Sequence, residues 1–344
     1  MLQIKYNMNF NQYFQKVFAK RNLLKEEAED AFNLIMSAKV SNIEISSFLV
    51  ALSLKGIVHN ELVSAVKVLR AKCINIKTKG IIVDTCGTGG DKKHTLNIST
   101  ATAILAAACG VKVAKHGNKS VSSKSGSSDV LEKLGVNINA SKNKVEKCLE
   151  NSKLCFLMAP LYHRAMKNVA EVRSKLKIPT IFNLLGPLLN PANANIQLIG
   201  VYSYEWMLPI ARCLKDLKIK KAWVVHGQDG LDEITTTTKT DVIEVNNKKI
   251  KRFTIDPTKL KLKKSKLSYL KGKDPSYNAK QISDLFSGNL KNIYYKEIIL
   301  LNTAAILVLT NKCKNLKQGI EIAEKNIING NALKKLNLLR KLTN

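Results

Sequence analysis

The chain has 344 residues, of which 45% are hydrophobic, and a formal net charge of +30 at pH 7. This composition predicts one large or two modest globular domains, and the longest apolar stretches fall short of a membrane span. The first 21 residues are polar and aromatic, without the apolar region of a signal peptide, so we expect none. The excess lysine is spread along the chain and only seven of the 56 basic residues are arginine, which favours a solvated lysine-rich surface over nucleic-acid binding.

The N-terminal part of the chain, residues 10–78, is predicted to form helices only. Leu24–Met36 carries apolar residues at helical spacing, Ser41–Glu44 has the pattern of a capping box, and Asn60–Leu69 forms a further helix. We therefore predict a helical domain over residues 1–78. Its apolar faces would form a core or a dimer surface, and we expect a homodimer.

The rest of the chain has a different pattern. From Gly80 onwards, short apolar runs alternate with helical segments, which predicts a mostly parallel sheet. Two strand-like runs within residues 240–255 predict a hairpin at the sheet edge. The predicted fold class is therefore α/β: a small N-terminal all-helical domain and a large α/β domain, residues 79–344, with a mostly parallel central sheet. The segment near residues 175–195 is a candidate to pack on the helical domain.

A glycine-rich loop follows the first predicted strand. The apolar run Gly80–Val83 leads into Gly87-Thr88-Gly89-Gly90-Asp91, and a helix is predicted over Ile98–Cys109. Glycines let the backbone approach a ligand closely and point successive N–H groups at it. Such a nest before a helix N-terminus suits phosphate or pyrophosphate. The alternative for one such loop on its own is an ordinary tight turn.

A second polar loop follows the next predicted strand, Val111–Ala114. It contains Lys115-His116-Gly117-Asn118-Lys119 and a serine-rich run, before a short helix at Val130–Leu134. Lysine supplies a point charge and hydroxyl groups supply donors, so phosphate is a natural ligand at the carboxyl end of such a strand. The alternative is a solvated loop that only caps the helix.

Two adjacent acids follow a third predicted strand, Trp223–His226. Asp232 and Glu233 lie in the glycine-rich loop after it. Carboxylates at this position suit Mg²⁺, which takes oxygen ligands and shares them with substrate phosphates. An isolated Asp-Glu pair more often caps a helix or faces solvent, but two candidate phosphate loops favour the metal.

These segments together resemble the anthranilate phosphoribosyltransferase family from about residue 20 to the C-terminus. The resemblance rests on eight strings that occur in order: Gly87–Asp91, Asn97–Thr100, Lys115–Asn118, Ser122–Gly126, Tyr162-His163, Val172-Arg173, Phe182–Leu188 and Gly230–Glu233. Any one string is a weak signal, whereas the ordered set is highly specific.

Four positions depart from the usual family pattern. Lys119 stands where arginine is usual, Ser128 where alanine is usual, and Arg164 where proline is usual; Gly272-Lys273 stands for Gly-Gly. Lys119 keeps the charge but lacks the bidentate geometry of arginine, which puts its role in question. Arg164 puts the fine geometry of the acceptor region in question, rather than the reaction class.

The resemblance implies a reaction. The amino group of anthranilate would displace diphosphate from 5-phosphoribosyl 1-diphosphate (PRPP) and give N-(5-phosphoribosyl)anthranilate, the second step of tryptophan biosynthesis from chorismate. Mg²⁺, two ions per active site, would stabilise the departing diphosphate. The aromatic amine is neutral at pH 7, so no strong base is needed, and we expect no covalent nucleophile. Cys86 is expected to be a small filler residue.

The resemblance also implies the site residues. Metal would be held by Ser99, Asp232 and Glu233, and anthranilate by Gly87, Asn118, His163, Arg173 and Pro187, with His116 a weaker candidate. The residues implied around the donor are Gly87, Thr88, Gly89, Gly90, Asp91, Thr95, Asn97, Ile98, Ser99, Thr100, Lys115, His116, Gly117, Asn118, Lys119 and Ser127.

Two other functions stay open on the sequence alone. A pyrimidine nucleoside phosphorylase would use phosphate as nucleophile and need no acidic metal pair, so Asp232 and Glu233 argue against it. A nucleic-acid-binding relative without catalysis would not need the intact loop Gly87–Asp91. Seven cysteines without a C-x-x-C pair indicate a reducing compartment, and we expect a cytoplasmic protein.

Overall fold

The computed structural model describes residues 9–119, 125–247, 249–263 and 265–344. The chain divides into two units, each of which is discontinuous in sequence. A helical unit comprises the residues up to Ile74 together with Pro160–Leu189, and an α/β unit comprises Asn75–Ala159 and Asn190–Asn344. Within the described ranges, no helix is long and apolar enough to cross a membrane. The predicted boundary between residues 78 and 79 stays a prediction.

The described residues form seven strands and fifteen α-helices. The strands are β1 Val83–Gly87, β2 Val113–Gly117, β3 Leu154–Met158, β4 Ile196–Gly200, β5 Lys221–Gly227, β6 Thr240–Asn246 and β7 Lys249–Ile255. The helices are α1 Phe10–Phe18, α2 Lys25–Met36, α3 Asn42–Lys55, α4 His59–Ala71, α5 Ile98–Ala108, α6 Ser127–Lys133, α7 Lys142–Ser152, α8 Ala159–Tyr162, α9 Lys167–Leu176, α10 Phe182–Leu185, α11 Met207–Asp216, α12 Pro275–Ser287, α13 Ile293–Leu309, α14 Leu316–Ile328 and α15 Asn331–Thr343.

All seven strands form one sheet in the order β3-β2-β1-β4-β5-β6-β7. The first five strands run parallel, and β6 and β7 form an antiparallel hairpin at the edge. The predicted fold class and the predicted edge hairpin are therefore confirmed. The strand order reverses between β1 and β4, and ligands of open α/β sheets bind beyond the carboxyl ends of the strands at such a switch point.

Two strands begin later than the apolar pattern predicts. The runs Gly80–Val83 and Val111–Ala114 were the expected strands, but β1 and β2 extend through polar residues to Gly87 and Gly117. Asp84 in β1 is fully buried, and its carboxylate accepts a hydrogen bond from the backbone N–H of His116 in β2, at 3.1 Å. Because these polar groups satisfy one another inside the sheet, hydrophobicity alone placed the strand ends too early.

An aromatic cluster forms the core of the helical unit. The rings of Phe10 and Phe32 both pack against Phe48, with centroid distances of 5.3 and 6.0 Å. Phe182 in α10 packs edge-on against Phe32 at 6.5 Å. The later segment therefore contributes to the same core as the N-terminal helices.

A buried carboxylate connects three parts of this unit. Glu61 in α4 is fully buried and forms an ion pair with Lys55 at 3.0 Å. The same carboxylate accepts hydrogen bonds from the backbone N–H groups of Leu23 and Val58, at 3.1 and 3.0 Å. The side chain thereby fixes the segment before α2 and the turn between α3 and α4.

Removing this carboxylate should destabilise the protein strongly. We expect Glu61→Ala to lower the free energy of unfolding by about 3–5 kcal/mol, because it leaves a buried ammonium without its counter-charge and two backbone N–H groups without their acceptor. Glu29→Ala is the matched control, since its ion pair with Lys67 is partly exposed and should contribute at most about 1 kcal/mol. Denaturant unfolding measures both changes, and equal losses would contradict the assignment.

Candidate active site

The glycine-rich loop joins β1 to α5 at the switch point of the sheet. Gly89 and Gly90 have φ values of +66° and +84°, a left-handed conformation that glycine adopts without strain. Gly87, at the end of β1, has a different constraint, because a β-carbon there would overlap the carboxylate of Asp232. Gly200, opposite Gly87 in β4, would overlap the Asp232 backbone in the same way.

The carboxylates of Asp232 and Glu233 contact this loop and the helix that follows it. Asp232 accepts a hydrogen bond from the backbone N–H of Gly89 at 2.8 Å, and Glu233 accepts one from the N–H of Ser99 at 3.2 Å. Ser99 lies in the first turn of α5. A loop nest, a helix N-terminus and two acids, which lie far apart in sequence, therefore meet at one point, as an anion site with an adjoining cation site requires.

Burial of the two acids raises the pKa of both carboxyl groups, which favours a bound cation. Burial first, and then the negative charge of Asp91, raises the pKa of Asp232 to about 7. Burial and the charge of Asp232 raise the pKa of Glu233 well above its usual value, although Lys115 opposes this shift. A bound cation would offset the cost of burying both charges.

The donor set fits Mg²⁺. Ser99, Asp232 and Glu233 offer only hard oxygen atoms, the ligands that Mg²⁺ prefers. Across the described ranges, no three His, Cys, Asp or Glu side chains cluster as a complete metal cage. Mg²⁺ in proteins usually keeps several waters and takes further oxygens from substrate phosphates.

Lys115 lies inside the site rather than on a surface loop. It belongs to β2 and is almost fully buried. Its ammonium group donates to the backbone carbonyl of Thr85 at 2.7 Å and to the hydroxyl of Ser99 at 3.1 Å. Lys115, His116 and Gly117 were expected in a loop after the strand, and this expectation was wrong. Their assignment to the donor site stays a prediction.

The second predicted anion loop is described only at its two ends, because Ser120–Lys124 lie outside the described residues. At one end, the backbone N–H of Lys119 donates to the Asn118 side chain at 2.8 Å. At the other end, the hydroxyl of Ser127 donates to the backbone carbonyl of Asn118 at 3.3 Å. The buried hydroxyl of Ser128 has no hydrogen-bond partner among the described residues, which agrees with the alanine that is usual at this position.

The predicted acceptor residues are divided between the two units. Gly87 and Asn118 belong to the α/β unit, and His163, Arg173 and Pro187 belong to the helical unit. Arg173 lies over the ring of Phe182, at 5.6 Å from its centroid, and forms no ion pair with a carboxylate of the described chain. Its guanidinium is therefore available for an external carboxylate.

His163 is held as a neutral imidazole. The side chain is buried, and its Nε2 lies 4.0 Å from the thiol sulfur of Cys73. Burial lowers the pKa of His163 to about 4, although a hydrogen bond involving the backbone of Leu189 opposes the shift. A neutral imidazole adds no charge to the site.

Sequence reasoning missed the buried polar residues behind the loop. Asn278 in α12 donates to the side chain of Asn97 at 2.9 Å. Tyr295 and Asn302 in α13 hydrogen-bond to Asn97 and Ile234. An asparagine within the apolar run of α13 was the one signal in the sequence, since a buried amide needs partners.

Two family models match the chain. The model described as "Glycosyl transferase family, a/b domain" matches residues 79–333. The model described as "Glycosyl transferase family, helical bundle domain" matches residues 11–73.

Full-length relatives and solved structures agree with one another. The chain is 45% identical to an anthranilate phosphoribosyltransferase of Petrotoga mobilis over 97% of both chains. It is similar to the crystal structure of the anthranilate phosphoribosyltransferase from Thermus thermophilus, with a TM-score of 0.90, 35% identity and coverage of 96% of this chain and 99% of the other. The enzyme from Saccharomyces cerevisiae, in complex with PRPP and Mg, gives a TM-score of 0.90 at 30% identity over 97% of both chains. The yeast enzyme has also been solved in complex with 4-fluoroanthranilate.

The buried imidazole gives a testable pH dependence. The folded-state pKa of His163, about 4, lies below the unfolded value of about 6.5, so the unfolded chain binds more protons between these limits. Stability should therefore fall as the pH drops from about 6.5 towards 4, and His163→Gln should remove this part of the loss. Denaturant unfolding at several pH values measures it. A resonance assigned to the His163 imidazole, by its loss in His163→Gln, that titrates near pH 6.5 in NMR would contradict the burial of this side chain.

Proposed function

The chain belongs to the anthranilate phosphoribosyltransferase family, and we propose that it transfers the phosphoribosyl group of PRPP to the amino group of anthranilate. The products are N-(5-phosphoribosyl)anthranilate and diphosphate, and the reaction is the second step of tryptophan biosynthesis. One observation of the structure carries the proposal: the hydrogen bonds of Gly89 and Ser99 to the buried acids Asp232 and Glu233. They join a diphosphate nest to a cation site.

Ser99, Asp232 and Glu233 are the proposed Mg²⁺ ligands. Mg²⁺ bound there, as two ions per site, would offset the charge that develops on the departing diphosphate. The complex of the yeast relative with PRPP and Mg supports the use of this ion. The raised pKa values of both acids support it independently, since they indicate buried negative charge without sufficient compensation.

The chain itself contributes orientation and electrostatic stabilisation. The backbone N–H groups of Gly89 and Gly90 and of the first turn of α5 would bind the diphosphate oxygens. Those of Gly89 and Ser99 donate to Asp232 and Glu233, so they would change partner when a cation takes the carboxylate oxygens. Lys115 fixes the hydroxyl of Ser99 from behind. The aromatic amine of the acceptor attacks in its neutral form, so the site needs no strong base, and we assign no nucleophilic role to Cys86. Burial and the neighbouring Asp84 raise the pKa of its thiol well above its usual value, which disfavours the thiolate.

Arg173 is the proposed partner of the anthranilate carboxylate. A planar guanidinium matches a carboxylate in a bidentate way, and Arg173 lacks an internal ion pair in the described chain. His163 would contact the acceptor as a neutral imidazole and would add no charge. Pro187, Gly87 and Asn118 remain predicted acceptor residues.

We further propose a homodimer formed through the helical unit. This unit carries six of the exposed large apolar side chains: Phe18, Leu24, Ile43, Leu54, Leu161 and Ile178. Ile43 and Leu54, both in α3, are each 80% exposed. Exposed apolar side chains that form a contiguous patch are typical of an interface.

The proposed location is the cytoplasm. All seven cysteines are free thiols, which agrees with a reducing compartment.

The carboxylate pair also decides between enzyme classes. A pyrimidine nucleoside phosphorylase has no need for two acids at the diphosphate loop, and a binding protein without catalysis has no need to bury them there. The direct experiment mixes the protein with Mg²⁺, PRPP and anthranilate and follows the fluorescence of anthranilate. Its decay, dependent on both Mg²⁺ and PRPP, is the expected result. No decay, together with phosphate-dependent cleavage of a pyrimidine nucleoside, would overturn the proposal.

Truncation of Arg173 should impair the use of anthranilate and leave the binding of PRPP nearly unchanged. Removal of the charged partner of a bound carboxylate costs about 2–3 kcal/mol, so Arg173→Ala should lower kcat/KM for anthranilate about 30- to 150-fold. The KM for PRPP should stay nearly unchanged. Arg212→Ala is the control, because this arginine is exposed, lies in α11 and belongs to no predicted site. A collapse of PRPP affinity with an unchanged anthranilate KM would assign Arg173 to the phosphate side.

The dimer can be tested in solution. At micromolar concentration, sedimentation velocity should give the mass of two chains, and a charge in place of one of these exposed apolar side chains should shift it to one. Ile43→Lys is the informative variant, and Ile328→Lys in the α/β unit is its control, since both side chains are highly exposed. A wild-type monomer would contradict the proposal.

A further inference from the structure

Helix α13 is almost wholly apolar and buried, yet it contains buried polar side chains. From Ile298 to Leu309 nearly every residue is shielded from solvent. Tyr295 and Asn302 are both fully buried in this surrounding. Buried polar groups of this kind are retained only where they have partners, and the partners of these two lead to the candidate active site.

Tyr295 holds the start of α5. Its hydroxyl donates to the backbone carbonyl of Asn97 at 3.2 Å. Asn97 is the residue before α5, and Ser99 follows two positions later. Burial first, and then the charge of Glu233, raises the pKa of Tyr295 far above its usual value, so the hydroxyl stays protonated and remains a donor.

Asn302 holds the other half of the site. Its amide nitrogen donates to the backbone carbonyl of Ile234 at 2.8 Å, and its amide oxygen accepts from the N–H of the same residue at 3.1 Å. This pair of bonds fixes both polar groups of the residue that directly follows Glu233. The amide also donates to the carbonyl of Ile298 within α13, at 2.8 Å, which fixes its own orientation.

The two side chains lie on one face of the helix. Residues 295 and 302 are two turns apart, and such residues project in the same direction with about 10 Å between them along the axis. One helix therefore contacts the segment that carries Ser99 and the segment that carries Asp232 and Glu233.

This contact has a consequence for metal binding. The hydrogen bonds that join the two segments directly, Gly89 to Asp232 and Ser99 to Glu233, use the carboxylate oxygens themselves. A cation would compete for the same oxygens. The distance between the two halves must then be maintained by bonds that do not involve the carboxylates, and the bonds of Tyr295 and Asn302 are of this kind.

We infer that Tyr295 and Asn302 are positioning residues, through which α13 sets the separation of the two halves of the metal site. They act through Asn97 and Ile234 and touch neither metal nor substrate. The inference rests on the proposed function, because it assumes that Ser99, Asp232 and Glu233 bind the cation.

The test uses the full-length protein with Mn²⁺ as the probe. Free and bound Mn²⁺ are measured by electron paramagnetic resonance in the presence of PRPP and in the absence of any acceptor. Tyr295→Phe removes one hydroxyl and keeps the ring, so it should raise the Kd for Mn²⁺ about 3- to 10-fold, the effect of one hydrogen bond. Asn302→Leu removes both bonds to Ile234 and should raise it further.

Two neighbours in the same helix provide matched controls. Tyr294→Phe removes a hydroxyl from a ring that stacks on Tyr269 at 4.5 Å. Thr303→Val removes a buried hydroxyl that has no hydrogen-bond partner in the described part of the chain. Both should bind Mn²⁺ as the wild type does. Asn302→Leu leaves two buried backbone groups without partners and could prevent folding. If it does not fold, the milder variant Tyr295→Phe alone tests the inference.

The outcomes separate the inference from the proposed function. Weaker Mn²⁺ binding by Tyr295→Phe, with a metal-free melting temperature equal to that of Tyr294→Phe, supports the inference. Unchanged Mn²⁺ affinity overturns it, and an unchanged affinity with a lowered melting temperature assigns the hydroxyl a purely structural role. Wild-type protein that binds no Mn²⁺ in the presence of PRPP would overturn the proposed function, and the inference with it.

Discussion

The candidate active site depends on one electrostatic constraint, the burial of two adjacent carboxylates at the carboxyl end of a parallel sheet. Asp232 and Glu233 follow β5 in sequence, and Asp232 lies against the carboxyl ends of β1 and β4. A single buried ammonium group, that of Lys115, opposes the shift in the pKa of Glu233. Burial of charge is costly unless it is compensated. Two backbone N–H groups supply part of the compensation, and a cation would supply the rest.

The surrounding structure makes room for these carboxylates and holds them in place. Gly87 and Gly200 are paired in adjacent strands, and a side chain on either would collide with Asp232. From the other side, α13 contacts the backbone on both halves of the site. A preformed arrangement of this kind lets the protein stabilise developing charge without reorganisation during the reaction. The two glycines therefore make room for the carboxylates, and α13 holds the segments that carry them.

The sequence predicted the parts of the site that depend on local chemistry. The glycine-rich loop and the acidic pair were recognisable because phosphate nests and cation sites need particular residue types within a few positions. The ends of β1 and β2 were not, because Asp84, Lys115 and His116 are polar residues that pair within the sheet. Tyr295 and Asn302 were missed for another reason. Their partners lie 198 and 68 residues away. The asparagine within the apolar run of α13 indicates that a partner exists, but no local pattern identifies a partner at such a separation.

The most direct measurement is a crystal structure of the protein with PRPP and Mn²⁺, with the metal located by its anomalous scattering. We expect two Mn²⁺ peaks beside the PRPP diphosphate, with oxygen atoms of Ser99, Asp232 and Glu233 as the protein ligands. Bound PRPP with no anomalous peak near these residues, or with metal held elsewhere in the chain, would contradict it.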